Sequence, residues 1–347
     1  MKKFLKVIGK VILGIVILVM LLAVGLFSYH KMQLTREEKC LEPLGELIEV
    51  DGHNISVYTE GTGEKTLVFL QGGGMPSPIL EAKSLYSLLS DDYRIVVIER
   101  PGYGFSDEVE GIPSLNTILD WEREALTKLQ INGPYILVPH SASGIEAILW
   151  AQIYPEEVEA IIGLDMSVPA FYEAIYDEDY MNKMRAAKDD MEATVASLDS
   201  TLFLYSTFGL TRIQYHLEKE LDSFKTGTLT DEEKEIYKAI TYKIYPNKTM
   251  MIGMLSLPED LELINSMPKP EVPMLLFISD GKELQMESSE NWIQLQKEYV
   301  ADNQEGTYIE LDCGHFMHNI EYKRISQEMK AYIENLANVS QVLFKSF

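Results

Sequence analysis

Short, unbroken apolar runs alternate with longer amphipathic stretches through most of this chain, and no other feature restricts the fold as much. Thr66–Leu70, Arg94–Glu99, Val158–Leu164, Met274–Ile278 and the runs at 135–138 and 307–311 are short and rich in β-branched and aromatic residues, as buried strands are. A strand apolar on both faces belongs inside a parallel sheet that helices cover on both sides. Helical stretches are expected at about 79–89, 114–130, 145–154, 290–299 and 322–336. Strands that alternate with helices build right-handed βαβ units. Two further strands, 47–50 and 54–59, flank Asp51-Gly52, a dipeptide suited to a hairpin turn. The expected class is α/β, with a doubly wound, mostly parallel sheet.

The alternation stops after Leu164. Residues 167–270 read as mostly helical and rich in Tyr, Phe and Met, which implies a helical cap inserted into the sheet. The core would then comprise residues 45–166 and 271–337, with a tail at 338–347.

The N-terminus has a different character. Residues 11–27 contain no charged side chain, and a helix needs about 20 apolar residues to cross a bilayer core. Lys2, Lys3, Lys6 and Lys10 precede the run and would stay cytoplasmic. The expectation is a membrane anchor over 1–31, one transmembrane helix, a polar connector over 32–44 and an extracytoplasmic domain. The alternative is a signal peptide cleaved near Ala23-Val24-Gly25, with a secreted product; the apolar run is long for that.

The net charge of −24 is unevenly placed. Residues 32–347 hold 25 basic and 54 acidic side chains, a net −29. Such a surface repels nucleic acid, so no nucleic-acid partner is expected. Two cysteines, Cys40 and Cys313, are too few for a disulfide framework, and two buried, unbridged thiols are the preferred reading over a single bridge. No group of His, Cys, Asp and Glu has ligand spacing, and the glycines near Gly72 lack dinucleotide-binding order, so no metal and no cofactor is expected.

Ser141 follows the buried run at 135–138 and precedes a helix, in Pro139-His140-Ser141-Ala142-Ser143-Gly144. A serine at a sharp strand–turn–helix corner exposes its hydroxyl above the sheet, while the helix N-terminus offers N–H groups to a developing oxyanion. The plainer reading of such a serine is a helix N-cap. Other segments raise its weight. Gln71-Gly72-Gly73-Gly74 follows an earlier strand, Glu99-Arg100-Pro101-Gly102-Tyr103-Gly104-Phe105-Ser106 follows the next, and Cys313-Gly314-His315-Phe316 follows the last.

Over roughly 45–337 these segments, in this order, resemble the α/β-hydrolase superfamily, in particular its capped serine hydrolases. Pro139 and Ser143 stand where its G-x-S-x-G elbow has glycines, and Gln71 stands where its glycine loop usually has His. The resemblance implies Ser141 as nucleophile, His315 as general base, and the amides of Gly73 and Ala142 as oxyanion hole. It also implies that the 99–106 segment shapes a loop and performs no chemistry. The acid is Asp165 by resemblance to members that carry it after the preceding strand, with Asp280 and Glu283 as alternatives on the later loop.

The implied activity is that of a serine esterase or lipase-like hydrolase, cleaving a small or medium apolar ester or amide against cap aromatics such as Phe171, Tyr172, Phe203 and Phe208. One rival is an aminopeptidase of the proline-iminopeptidase type, with Asp177, Glu178 and Asp179 holding a substrate amine. The other is a catalytically silent fold used for binding.

Overall fold

Each of these apolar runs is a strand in the computed structural model, which describes residues 2–282 and 289–344. The strands are β1 (Glu46–Val50), β2 (His53–Glu60), β3 (Thr66–Leu70), β4 (Arg94–Glu99), β5 (Tyr135–Pro139), β6 (Val158–Leu164), β7 (Met274–Ile278) and β8 (Gly306–Glu310). They form one sheet in the order β1-β2-β4-β3-β5-β6-β7-β8. The strand β2 runs antiparallel to both β1 and β4, and every other pairing is parallel.

The helices are α1 (Lys2–Glu37), α2 (Pro78–Tyr86), α3 (Leu115–Lys128) and α4 (Gly144–Ile153), then α5 (Pro169–Ile175), α6 (Glu178–Asp189), α7 (Met191–Phe208), α8 (Leu210–Gln214) and α9 (Leu217–Glu220). They continue with α10 (Asp231–Ile244), α11 (Lys248–Ile252), α12 (Leu257–Asn265), α13 (Ser289–Ala301), α14 (Met317–Ile320) and α15 (Tyr322–Phe344). Helices α5 to α12 all fall between β6 and β7.

Successive strand residues point to opposite faces, so the central strands feed two cores. Val68, Leu70, Val96, Ile98 and Leu137 pack on one face with Leu119 and Leu126 of α3 and Ile148 of α4. Leu67, Phe69, Ile95, Val97, Ile136 and Val138 pack on the other with Leu85 of α2 and Ile325 and Met329 of α15. Removing each such side chain from water contributes about 1.5–3 kcal/mol. Ser114 starts α3 by accepting the amide N–H of Thr117.

Two boundaries differ from the sequence expectation. Residues 32–37, expected as connector, continue α1 without a break. They contain no Gly or Pro to stop a helix, and their packing against the cap holds the final turns. Residues 338–344, expected as tail, prolong α15. The two cysteines are not joined by a disulfide; Cys313 is buried, whereas Cys40 is partly exposed.

The loop after β4 is built on Glu99. Its buried carboxylate accepts the amide N–H of Phe105 at 2.9 Å. Gly104 has φ +53°, and a Cβ there would lie about 2 Å from the Glu99 carboxylate, so only glycine fits. Ser106 Oγ donates to the Glu99 carbonyl at 2.5 Å and accepts the Ser56 amide at 2.8 Å. On the other sheet face, buried Glu81 accepts from Ser223 Oγ at 2.9 Å and Asn319 Nδ2 at 2.8 Å, which ties α2 to the cap and to α14.

Burial pushes both carboxyls up to about 7 from an ordinary 4.5. The native state therefore keeps these protons at pH values where the unfolded chain has lost them. The stability they contribute is complete below about pH 4.5 and is lost as pH rises through about 7. Urea denaturation of the full chain in detergent should show the midpoint declining over that range. Glu99→Gln should make the decline shallower; an unchanged slope would show that Glu99 does not titrate there.

Candidate active site

The carboxyl ends of parallel strands are where open α/β sheets place their sites, and β5 and β6 carry the candidate residues here. The chain leaves β5 at Pro139, passes His140, and turns at Ser141 with φ +54°. A left-handed serine is a strained conformation that the surrounding packing must hold. The Ser141 carbonyl accepts the Ser167 amide at 2.8 Å from beyond β6. Gly72 approaches so closely that a Cβ on it would stand 2.7 Å from Ser141 Cβ.

The residues that replace the elbow glycines fit for specific reasons. Ser143 has φ −72°, where no glycine is needed. Its hydroxyl is buried and lies 2.6 Å from the Leu70 carbonyl and 2.9 Å from the His140 amide, stitching the corner to β3. Pro139 is the last residue of β5, where its fixed φ suits extended backbone. The glycine with no room for a side chain is Gly144, whose Cβ would meet the Ser167 carbonyl at 2.1 Å.

Asp165 follows β6 and is also left-handed, with φ +47°. His315 follows β8 and α14 begins just after it. These three residues converge. His315 Nε2 lies 2.9 Å from Ser141 Oγ, and His315 Nδ1 lies 2.6 Å from Asp165 Oδ2. With the proton on Nδ1, the ring donates to Asp165 and accepts from the serine hydroxyl. Asp165 is fully buried, and its other oxygen accepts the Ser279 amide and Trp292 Nε1, each at 2.8 Å. These donors fix the plane of the carboxylate.

The alternative acids are placed otherwise. Asp280 directs its carboxylate to Lys282 Nζ at 2.6 Å, and that ammonium lowers its pKa. Glu283 lies outside the described residues.

Two further histidines pack beside His315, an arrangement the sequence does not signal. His140, which occupies the variable elbow position, donates from Nε2 to the His315 carbonyl at 3.2 Å. Its ring lies 4.7 Å from that of His315 and 4.5 Å from that of His318. Burial lowers the pKa of both, that of His318 to about 3. They therefore stay neutral and bring no positive charge against the imidazolium that His315 would become. Trp292 was also missed, because nothing in a helical stretch marks one indole as a carboxylate donor.

Beside the serine is a pocket of about 130 Å³. Its floor includes Gly73, Ala142 and Ile145, and its cap side includes Tyr172, Met250, Met254 and Leu257. The Gly74 amide is bonded to Tyr103 Oη at 3.2 Å, so the glycine loop leaves Gly73 at the pocket. Arg100 reaches the lining, but its guanidinium is engaged by buried Glu146. Of the four cap aromatics expected there, Tyr172 alone is among the lining residues; Phe203 is 59% exposed on the outside of the cap.

The profile of the alpha/beta hydrolase fold matches residues 65–318. The chain belongs to the alpha/beta hydrolase family. It is 35% identical over 302 residues to the uncharacterized protein YbdG of Bacillus subtilis (strain 168), covering 87% of this chain and 88% of the relative. It is 24% identical over 227 residues to a pimeloyl-[acyl-carrier protein] methyl ester esterase of Shewanella woodyi, covering 63% of this chain and 77% of that one. Among solved structures, epoxide hydrolase VrEH1 from Vigna radiata superposes with a TM-score of 0.60 at 19% identity, over 84% of this chain and 97% of that one. This last likeness concerns the fold alone.

An orienting carboxylate contributes on the order of 10⁴-fold to turnover in a Ser-His-Asp triad. Asp165→Asn should lower ester turnover by about that factor, while Asp280→Asn leaves it nearly unchanged. Steady-state rates of the two variants decide between them, and a large loss confined to Asp280→Asn moves the acid to the later loop.

Proposed function

We propose that the protein is a membrane-anchored serine hydrolase that cleaves an apolar ester or amide through an acyl-Ser141 intermediate. The observation that carries this reading is the 2.9 Å contact between His315 Nε2 and the hydroxyl of a left-handed serine. Ser141 Oγ attacks the acyl carbonyl as His315 takes its proton, and the amides of Gly73 and Ala142 receive the oxyanion. His315 then returns the proton to the leaving group. A water, activated by the same imidazole, releases the acyl group. Asp165 keeps the Nδ1 proton in place and offsets the positive charge on the ring.

A pocket lined by Leu115, Ile118, Ile145, Met250, Met254 and Leu257 suits an apolar acyl or alcohol group. Ester cleavage is favoured over amide cleavage, in keeping with the similarity to a methyl ester esterase. The aminopeptidase reading finds less support. Asp177 caps α6 by accepting the Tyr180 amide, Asp179 pairs with Lys183, and neither lines the pocket.

A fluorophosphonate probe tests the nucleophile and the silent-fold alternative together. Ser141→Ala should abolish both labelling and ester hydrolysis while leaving the fold intact, since loss of one hydroxyl creates no cavity. Ser143→Ala should keep its label, because that hydroxyl is committed to Leu70 and His140. Labelling of wild type that survives Ser141→Ala would remove this elbow from the mechanism.

The anchor rests on α1, in which Phe4, Val11, Leu18, Leu22 and Val24 are each more than half exposed. Such a surface is stable in hydrocarbon and not in water. With the lysines on the cytoplasmic side, protease added to intact cells should degrade the hydrolase domain and spare the N-terminus. Digestion only after lysis would reverse the orientation, and a mature protein that starts near Leu26 would favour a cleaved signal.

A further inference from the structure

The end of α1 does not leave the domain on a loose tether but is clamped to the cap. His30 is buried; its Nε2 lies 3.2 Å from the Ser206 carbonyl at the end of α7, and its Nδ1 accepts from Arg212 Nε at 3.0 Å. Arg212 also forms a two-pronged ion pair with Glu37, about two turns beyond His30 on α1. Gly209, with φ +65°, lies under the His30 ring, where a Cβ would be 2.4 Å away. Ala23, Leu26, His30 and Leu34 are the less exposed residues along this side of α1. Their spacing is that of one helical face, so the cap covers α1 from about Ala23 onward.

The position of the bilayer follows from this. Between Lys10 and buried His30 the helix offers only residues 11–29, and the hydrocarbon core needs about 20 residues. The whole stretch is consumed in crossing, so the membrane boundary reaches the level where α7 packs on α1. At that level the cap is unlike the rest of the domain. Residues 201–215 contain no acidic side chain, within a domain of net −29, and their one base, Arg212, is paired with Glu37. Phe203, Leu204 and Ile213, each within three residues of Ser206 or Arg212 in sequence, are 59%, 45% and 56% exposed. Helix α7 also packs on α11, which carries exposed Met251; exposed Met254 follows just beyond α11 and lines the pocket.

We propose that this face of the cap, formed by the C-terminal half of α7 and by α8, lies on the bilayer that α1 crosses. Phe203, Leu204 and Ile213 enter the boundary between headgroups and acyl chains. The pocket, edged by Met254, then receives long-chain lipid esters directly from the membrane. This rests on the anchored-hydrolase reading above, and the test separates the two. In full-length protein reconstituted into phosphatidylcholine–phosphatidylglycerol vesicles, retention through an alkaline carbonate wash reports the anchor, and fluorophosphonate labelling reports the serine.

The docking is read independently by an NBD fluorophore on Phe203→Cys, in a Cys40→Ser background, against the same label on Asp302→Cys at the far end of the sheet. The emission at position 203 should be blue-shifted relative to position 302 and quenched by brominated lipid. Equal emission at the two positions overturns the docking. The double variant Phe203→Asp/Ile213→Asp, altered only at exposed side chains, should cleave soluble 4-methylumbelliferyl butyrate at the wild-type rate. On 4-methylumbelliferyl oleate held in the vesicles it should be slower by several-fold. Equal rates on the oleate, with the NBD shift present, overturn delivery from the bilayer.

Discussion

At the ends of β5 and β6 the backbone turns through the left-handed region twice, at Ser141 and at Asp165, and the site depends on both corners. Neither residue is a glycine, so each conformation is strained and must be held by its neighbours. The holding contacts are backbone to backbone. The Ser141 carbonyl takes the Ser167 amide, and the Asp165 amide donates to the Phe277 carbonyl of β7. Parallel strands thus fix the spacing between the two corners, and His315 descends from the end of β8 to bridge them. Gly72 and Gly144 serve the same arrangement by standing where a side chain would collide with Ser141 or with Ser167.

Charge around the site is handled by burial and pairing. Asp165 is held in place by an indole, an amide and an imidazole that all donate to it. Glu122 lies near Glu146, and burial together with that carboxylate raises its pKa well above the ordinary value. Glu146 instead finds Arg100. Two carboxyls and one guanidinium thus balance as one neutral acid and one ion pair, beneath a pocket whose lining is mostly apolar. The neutral state of His140 and His318 follows the same rule.

The cap performs two tasks that its sequence does not separate. One side, through Tyr172, Met250 and Leu257, closes over the pocket. The other, through Ser206, Gly209 and Arg212, grips the last turns of α1. A rigid joint of this kind sets the orientation of the domain on its helix, which a flexible connector would leave undefined.

What could be read from sequence alone is what is local or periodic. The five strands from β3 to β7 were visible because a strand buried on both faces must be apolar throughout, and Ser114 and Asp51-Gly52 marked a cap and a turn by their own chemistry. Ser141, His315 and the glycine loop were legible because strand ends place them and sterics restrict their neighbours. Which carboxylate meets His315 was not decided this way, since Asp165, Asp280 and Glu283 all follow a predicted strand. Tertiary structure directs Asp165 to His315 and Asp280 to Lys282, through backbone angles that no local pattern encodes. The same holds for Trp292, for the edge-to-face rings of His140 and His318, and for Glu37 with Arg212. These pairs lie far apart in the chain, and their meeting depends on how the sheet and the cap pack.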